Sequence, residues 1–312
     1  ENAVRRKSLV FLAALLVLVA LYGGVSWSIA SQATKANREP LQDTLARLQL
    51  PFEDTVFPAR DKSAILHGWY SASDNVQGTI IIVHGLDSNR ASPDIGLVDM
   101  AAGLYRNRFS VLLFDLRGHG ESSAGRLSGG LFEQEDVLGA YDWLVEQDFP
   151  PGKIGLLGIS LGASISLLAG AREPGIAGVV ADSPFADIRD MIASEIPKRT
   201  SMPSWLAPIF IPGTILAAHV FYGIDLNRIV PEDAIGDLDY PAFLIHCEGD
   251  ERITPQHSQR LHKAAPSSIL WIASCRGHAK AFKTFPEEYL ERVSDYFHQR
   301  FSEIEILDRA SH

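Results

Sequence analysis

The stretch KIGLLGISLGASISLLAG, residues 153–170, decides the fold. An apolar run of strand length ends in Gly158-Ile159-Ser160-Leu161-Gly162, and a second apolar run of helical character follows. Two readings compete for a serine placed there, with a glycine two positions away on each side. One is a small-residue contact where a buried strand meets a buried helix. The other is a nucleophile on a tight strand-to-helix turn, where the glycines let strand and helix pass closely and the serine takes strained backbone angles. The rest of the chain has to separate them.

Outward from this turn, strand-like and helical runs alternate. GTIIIVHG (78–85), SVLLFDLRG (110–118), IAGVVADS (176–183), PAFLIHCEGD (241–250) and SILWIASC (268–275) are short and continuously apolar. Such runs suit a parallel sheet covered on both faces. TVFPA (55–59) and AILHGWYS (64–71) half-alternate, as an antiparallel opening hairpin would. Helical patterns lie between the strands at 94–107, 132–147, 161–172 and 287–301. This succession predicts an α/β fold, a mostly parallel sheet with helices on both faces. Ligands of such sheets bind outside the carboxyl ends of the strands. One insertion, about residues 185–240, breaks the rhythm with the apolar MPSWLAPIFIPGTILAAHVFYGI (202–224). Crossing a membrane there would separate the two halves of the sheet. A helical cap over the strand ends is therefore expected, its apolar side either lining an acyl pocket or packing on the domain.

Chemistry-bearing residues fall where strands stop. A serine hydroxyl is barely ionised near neutrality and needs a base, usually a histidine oriented by a carboxylate. Asp250 follows one strand in HCEGDERITP and His278 follows the last in SCRGHAKAF. Taken singly, Asp250 reads equally as a turn residue and His278 as a loop histidine. Together with Ser160 they give the chain order Ser, Asp, His at successive strand ends. Asp182, at another strand end, competes for the acid role, whereas Asp187 reads as a helix cap. The backbone N–H of Leu161 opens a helix, and that of Leu86 follows Gly85; both could face a developing oxyanion. His84 is expected to brace the loop after its strand.

The residues VHGLDSN (83–89), FDLRGHGES (114–122), GISLG (158–162), EGDERITP (248–255) and RGHAKAF (276–282) resemble those of the α/β-hydrolase superfamily over about Phe52 to Phe301. The membrane-anchored, serine-aminopeptidase-like or dienelactone-hydrolase-like branch looks nearest. The resemblance implies an α/β-hydrolase fold with Ser160 as nucleophile, His278 as base and Asp250 as its orienting acid. It also implies oxyanion donors at Leu86 and Leu161, with Asp115, Arg117 and His119 tying a loop. The expected reaction is two-step hydrolysis of a carboxylic ester, of a lipid or an acylated small molecule, with no cofactor and no metal. An amidase or peptidase, an acyltransferase, or a non-catalytic binding module could use the same frame.

The first forty residues differ in kind. Leu9 to Ala30 holds no charged side chain, and at about 1.5 Å per residue it can cross a hydrocarbon core of roughly 30 Å. An uncleaved transmembrane helix at 9–30 is expected, with a signal peptide cleaved after Ser28-Ile29-Ala30 as the rival. Trp27 and Tyr22 could sit near an interface, although Tyr22 lies rather deep for that role. Arg5, Arg6 and Lys7 in the basic flank (1–8) outweigh Lys35 and Arg38. That bias predicts a single-pass protein with a cytoplasmic N-terminus and an extracytoplasmic domain. A polar tether (31–51), the hydrolase domain (52–301) and a C-terminal tail (302–312) follow. The 312-residue chain is 46% hydrophobic and 21% charged, with a net charge of -10, which fits a globular core and disfavours nucleic-acid partners. Its two cysteines, Cys247 and Cys275, read as buried thiols or, should they end neighbouring strands outside the cytoplasm, as a pair. There is no Asn-x-Ser/Thr acceptor. Oligomeric state leaves no trace in the sequence.

Overall fold

The computed structural model describes residues 2–310 apart from Asn75, Ser201 and Ser204. Glu1 of the basic flank, and Ser311 and His312 of the expected tail, lie outside the described residues. The chain forms two compact units, one made of the segment through Lys35 with Arg189–Arg228, the other of Ala36–Ile188 with Ile229 onward.

The larger unit is built on an 8-stranded sheet. Its strands are β1 (Glu53–Pro58), β2 (Ile65–Ser71), β3 (Thr79–Val83), β4 (Ser110–Phe114), β5 (Ile154–Ile159), β6 (Ile176–Asp182), β7 (Phe243–Gly249) and β8 (Ile269–Arg276). Their spatial order is β1-β2-β4-β3-β5-β6-β7-β8. β1 pairs antiparallel with β2 and β2 with β4, and every later pairing is parallel. β3, β4, β5 and β6 are buried at every position, which is why their sequences are continuously apolar rather than alternating. Helices of this unit are α2 (Leu97–Arg106), α3 (Glu133–Glu146) and α4 (Leu161–Gly170). In the smaller unit lie α1 (Asn2–Ala33), most of α5 (Ile188–Arg199) and α6 (Ala207–Tyr222). Short α7 (Pro231–Ala234), α8 (Gln256–Ala264), short α9 (Ala281–Thr284) and α10 (Pro286–Ala310) complete the larger unit. α10 runs through most of the expected tail. It buries Tyr289, Val293, Tyr296, Phe297 and Phe301 in one cluster with Phe109 and Phe243.

The stretch expected as a tether is built into the two units, with α1 continuing through Ala33. From Ala36 it belongs to the larger unit: Asn89 donates to the carbonyls of Glu39 (3.0 Å) and Pro40 (3.1 Å), and Leu45 is fully buried. The cysteines pair: a disulfide joins Cys247 on β7 to Cys275 on β8, so the plainer reading as free thiols gives way to the alternative. In the smaller unit, Val4–Ala33 is long and apolar enough to cross a membrane.

At the β5–α4 turn the two glycines are required by space. A Cβ on Gly158 would lie 2.2 Å from the Gly162 carbonyl oxygen, and one on Gly162 would lie 2.2 Å from that of Val83. Gly162→Ala should therefore lower stability by about 1–3 kcal/mol. Gly236→Ala, with nothing within 4 Å, should leave it unchanged. Urea unfolding of the two variants checks both.

Candidate active site

Each side chain singled out by the chain order is delivered by a strand end. Ser160 follows β5 with φ 57 and ψ -119, a positive-φ conformation outside the allowed regions for L-residues that turns the chain at once into α4. Its N–H donates to the Asp182 carbonyl at 2.8 Å, which fixes the turn to the neighbouring strand. Such backbone strain costs on the order of 1–3 kcal/mol and is characteristic of functional turns. The Leu161 N–H is the first of α4, where no intrahelical acceptor exists. Gly85 brings the loop after β3 against the serine: a Cβ there would be 3.2 Å from Ser160 Cβ.

Asp250 follows β7 and His278 follows β8. Their loops are held together by the disulfide three residues upstream of each and by the Gly277 N–H donating to the Gly249 carbonyl at 3.0 Å. Asp250 Oδ1 accepts the N–H groups of Arg252 (2.9 Å) and Ile253 (3.1 Å). Asp250 Oδ2 lies 2.7 Å from His278 Nδ1, and His278 Nε2 lies 2.6 Å from Ser160 Oγ. Burial pushes the Asp250 carboxyl up, but hydrogen bonds from His246, His278 and the Ile253 N–H outweigh it, holding it well below the usual carboxylate range. An ionised carboxylate only accepts, so Nδ1 carries the imidazole proton and Nε2 is left to accept the serine O–H.

The structure thus brings Ser160, His278 and Asp250 into one chain of hydrogen bonds and leaves Asp182 out of it. Asp182 Oδ1 accepts the Ser183 hydroxyl at 2.9 Å, and burial raises its pKa to about 6. Asp187 directly precedes α5. His84 is fully buried, and burial, with the charge of His119, lowers its pKa to about 3. Its Nε2 accepts the Leu116 N–H (3.0 Å), so Nδ1 donates to the Gly85 carbonyl (2.7 Å): it braces the loop. Asp115 accepts the Arg90 N–H (2.8 Å), the Arg90 guanidinium and the Glu121 N–H (2.9 Å). The Arg117 Nε donates to Asp136 at 2.9 Å, and its backbone carbonyl lies 3.0 Å from His119 Nδ1. Arg90 and Asp136, which complete these ties, carry no motif that would single them out in sequence.

A cleft of about 510 Å³ opens over Ser160 and His278. Leu86 lines it, and much of the remaining wall is polar, including Glu39, Asp87, Arg252 and Lys280. Sequence reading missed Arg252 and Lys280, although each lies two residues beyond a site residue. Among the described residues, no group of three or more His, Cys, Asp or Glu side chains is placed to hold a metal ion.

Fold and comparisons agree on the class: the chain has the α/β-hydrolase fold. A family model described as "alpha/beta hydrolase fold" matches residues 78–214. An uncharacterized protein of Bacillus subtilis, YqkD, is 28% identical over 74% of this chain and 74% of its own. An esterase of Pyrococcus furiosus, Pf2001, superposes with a TM-score of 0.67 at 25% identity, covering 85% of this chain and 98% of the other. The α/β hydrolase GrgF of Penicillium sp. sh18 shares the fold at a TM-score of 0.63 and 19% identity, over 81% of this chain and 100% of its own. Esterase-like neighbours support a hydrolase function.

The buried Asp182 makes a pH prediction. Its folded pKa of about 6 lies above the ordinary value of 3.8, so its contribution to stability is full below pH ~4 and is lost as pH rises to about 6. Asp182→Asn should remove that component, so the variant's melting temperature gains on the wild type between pH 4 and 7. A series of thermal melts across that range reads the effect.

Proposed function

We propose that the protein is a membrane-tethered serine hydrolase that cleaves a carboxylic ester through an acyl-enzyme intermediate. The observation that carries this reading is the continuous chain Ser160 Oγ–His278 Nε2 (2.6 Å) and His278 Nδ1–Asp250 Oδ2 (2.7 Å) at the floor of an open cleft. Ser160 Oγ attacks the acyl carbonyl as its proton passes to His278 Nε2. Asp250 stabilises the resulting imidazolium and keeps the ring oriented. The N–H groups of Leu86 and Leu161 receive the negative charge on the carbonyl oxygen, each contributing roughly 3–4 kcal/mol to the transition state. His278 returns the proton to the departing alcohol, then takes one from the water that attacks the acyl-enzyme and passes it to Ser160 Oγ as the acid departs.

The cleft's polar wall favours an ester with a polar portion, such as an acylated small molecule or a lipid head group. α1 is the proposed tether, with the hydrolase unit outside the cytoplasm. The basic bias before the span supports that orientation. So does the Cys247–Cys275 disulfide, because such bonds persist in oxidising compartments.

A fluorophosphonate probe should label the protein, and Ser160→Ala should abolish both labelling and ester turnover. Asp250→Asn should lower kcat by a factor on the order of 10³–10⁴. An unlabelled, folded wild-type protein would refute the mechanism. Matched ester and amide substrates separate an esterase from an amidase, and protease accessibility on intact cells tests the orientation.

A further inference from the structure

The insertion between β6 and β7 carries an apolar helix that the reaction does not use. From Thr200 to Ile224 the sequence has no Asp, Glu, Lys or Arg. Within that run, α6 leaves Ile209, Leu216 and Val220 exposed at 56%, 63% and 63%. Spacings of seven and four residues align them on one strip of the helix. Trp205, just before α6, and Phe221, near its end, are exposed as well.

The helix beneath that strip says what covers it. α6 packs on α1 around Tyr22, whose ring stacks on that of Phe210 with centroids 5.3 Å apart. The Tyr22 hydroxyl donates to the Ile209 carbonyl at 2.9 Å and accepts the Gly213 N–H at 3.2 Å. These are the two backbone groups, four residues apart, that a regular helix would pair with each other. They lie beside Pro212, which has no N–H to donate. A Cβ on Gly213 would stand 2.3 Å from Ser26 Oγ, so the close approach needs glycine. Close packing through small residues, with a hydroxyl completing a proline-interrupted ladder, is how helices associate where no water can serve the backbone.

Depth follows from register. Tyr22 precedes Ala30, where the apolar stretch gives way to Ser31 and Gln32, by about two helical turns, or roughly 12 Å. Arg199 at the end of α5 meets the end of α1 instead, donating to the carbonyls of Ala33 (3.0 Å) and Lys35 (2.6 Å). Between Arg199 and Ile209 the chain therefore moves from the end of α1 to the level of Tyr22. The 16 residues of α6 then extend about 24 Å. Because β6 and β7 are neighbours in one sheet, the insertion must enter and leave on the same side of any membrane.

We infer that α6 is a re-entrant membrane helix, clasped by Tyr22 of α1, whose Ile209–Leu216–Val220 strip faces lipid acyl chains. This rests on the proposed reading of α1 as the span. The test uses full-length protein in phosphatidylcholine vesicles, with single cysteines at Leu216, Val220, Val17 and Gln147 carrying an NBD fluorophore. No native cysteine is free to compete for the label. Circular dichroism confirms that each labelled protein is folded. Blue-shifted emission, quenched several-fold by lipids brominated along their acyl chains, is expected at Leu216, Val220 and Val17 but not at Gln147. Quenching at Val17 alone would overturn the inference and leave the tether standing. Blue-shifted but unquenched emission at Leu216 and Val220 would assign the strip to a protein partner or a second copy, overturning it equally. An unquenched Val17 would remove the tether and the inference together.

Discussion

The turn from β5 into α4 depends on a contact that no side chain could share. α4 meets the end of β3 at Gly162, where even a methyl group would overlap the Val83 carbonyl oxygen. Gly158 makes the complementary concession from β5, where a Cβ would meet the Gly162 carbonyl and Ser166 Oγ. With both partners so close, the residue between them must turn within one step. Ser160 consequently sits at φ 57, and its side chain faces the cleft instead of the core. The strain, on the order of 1–3 kcal/mol, is offset by the burial of all of α4 and of every residue of β5. Burying one Leu or Ile contributes roughly 1.5–3 kcal/mol. A few of these side chains are enough to hold the turn.

The same economy governs the two carboxylates near the site. Asp250 and Asp182 both end strands and both are buried, yet their environments push them in opposite directions. For Asp250, N–H donors and two imidazoles overcome the burial that would otherwise raise it. Asp182 meets chiefly burial, relieved by the Ser183 hydroxyl, and resists ionisation. One acid is thereby suited to hold an imidazole and the other to stay out of its way. The disulfide and the Gly277–Gly249 bond keep the favoured acid and the histidine on one stiff pair of loops.

Much of this was legible in sequence because the constraints are local. Continuous apolar runs follow from two-sided burial, and the Gly-x-Ser-x-Gly spacing from a contact between elements adjacent in the chain. Asp250 and His278 were identifiable because a parallel sheet brings its strand ends to one edge. Features that depend on distant partners were not. Nothing near Asn89 indicates that its amide pins the carbonyls of Glu39 and Pro40, so residues 36–51 read as a tether. Arg90 carries no motif, although its guanidinium meets Asp115 and lies 4.5 Å over the Trp69 ring. The cysteine pair stayed ambiguous because it depends on β7 and β8 being neighbours.

Tyr22 links the pattern of the apolar run to the packing of α6. In sequence it is an anomaly, a phenol too deep in an apolar run to serve as an interfacial anchor. Its hydroxyl would be costly in hydrocarbon without a partner. The partners exist within the same unit, as the Ile209 carbonyl and the Gly213 N–H. Neither feature is self-sufficient: the phenol needs backbone groups to bond, and a helix bearing Pro212 benefits from a hydroxyl beside its interrupted ladder. An apolar helix packed only by hydrophobic contact in water would need no such clasp, since water could reach its open groups. The pairing of a phenol with a proline-interrupted helix suits the proposed membrane setting, a medium that offers neither group an alternative.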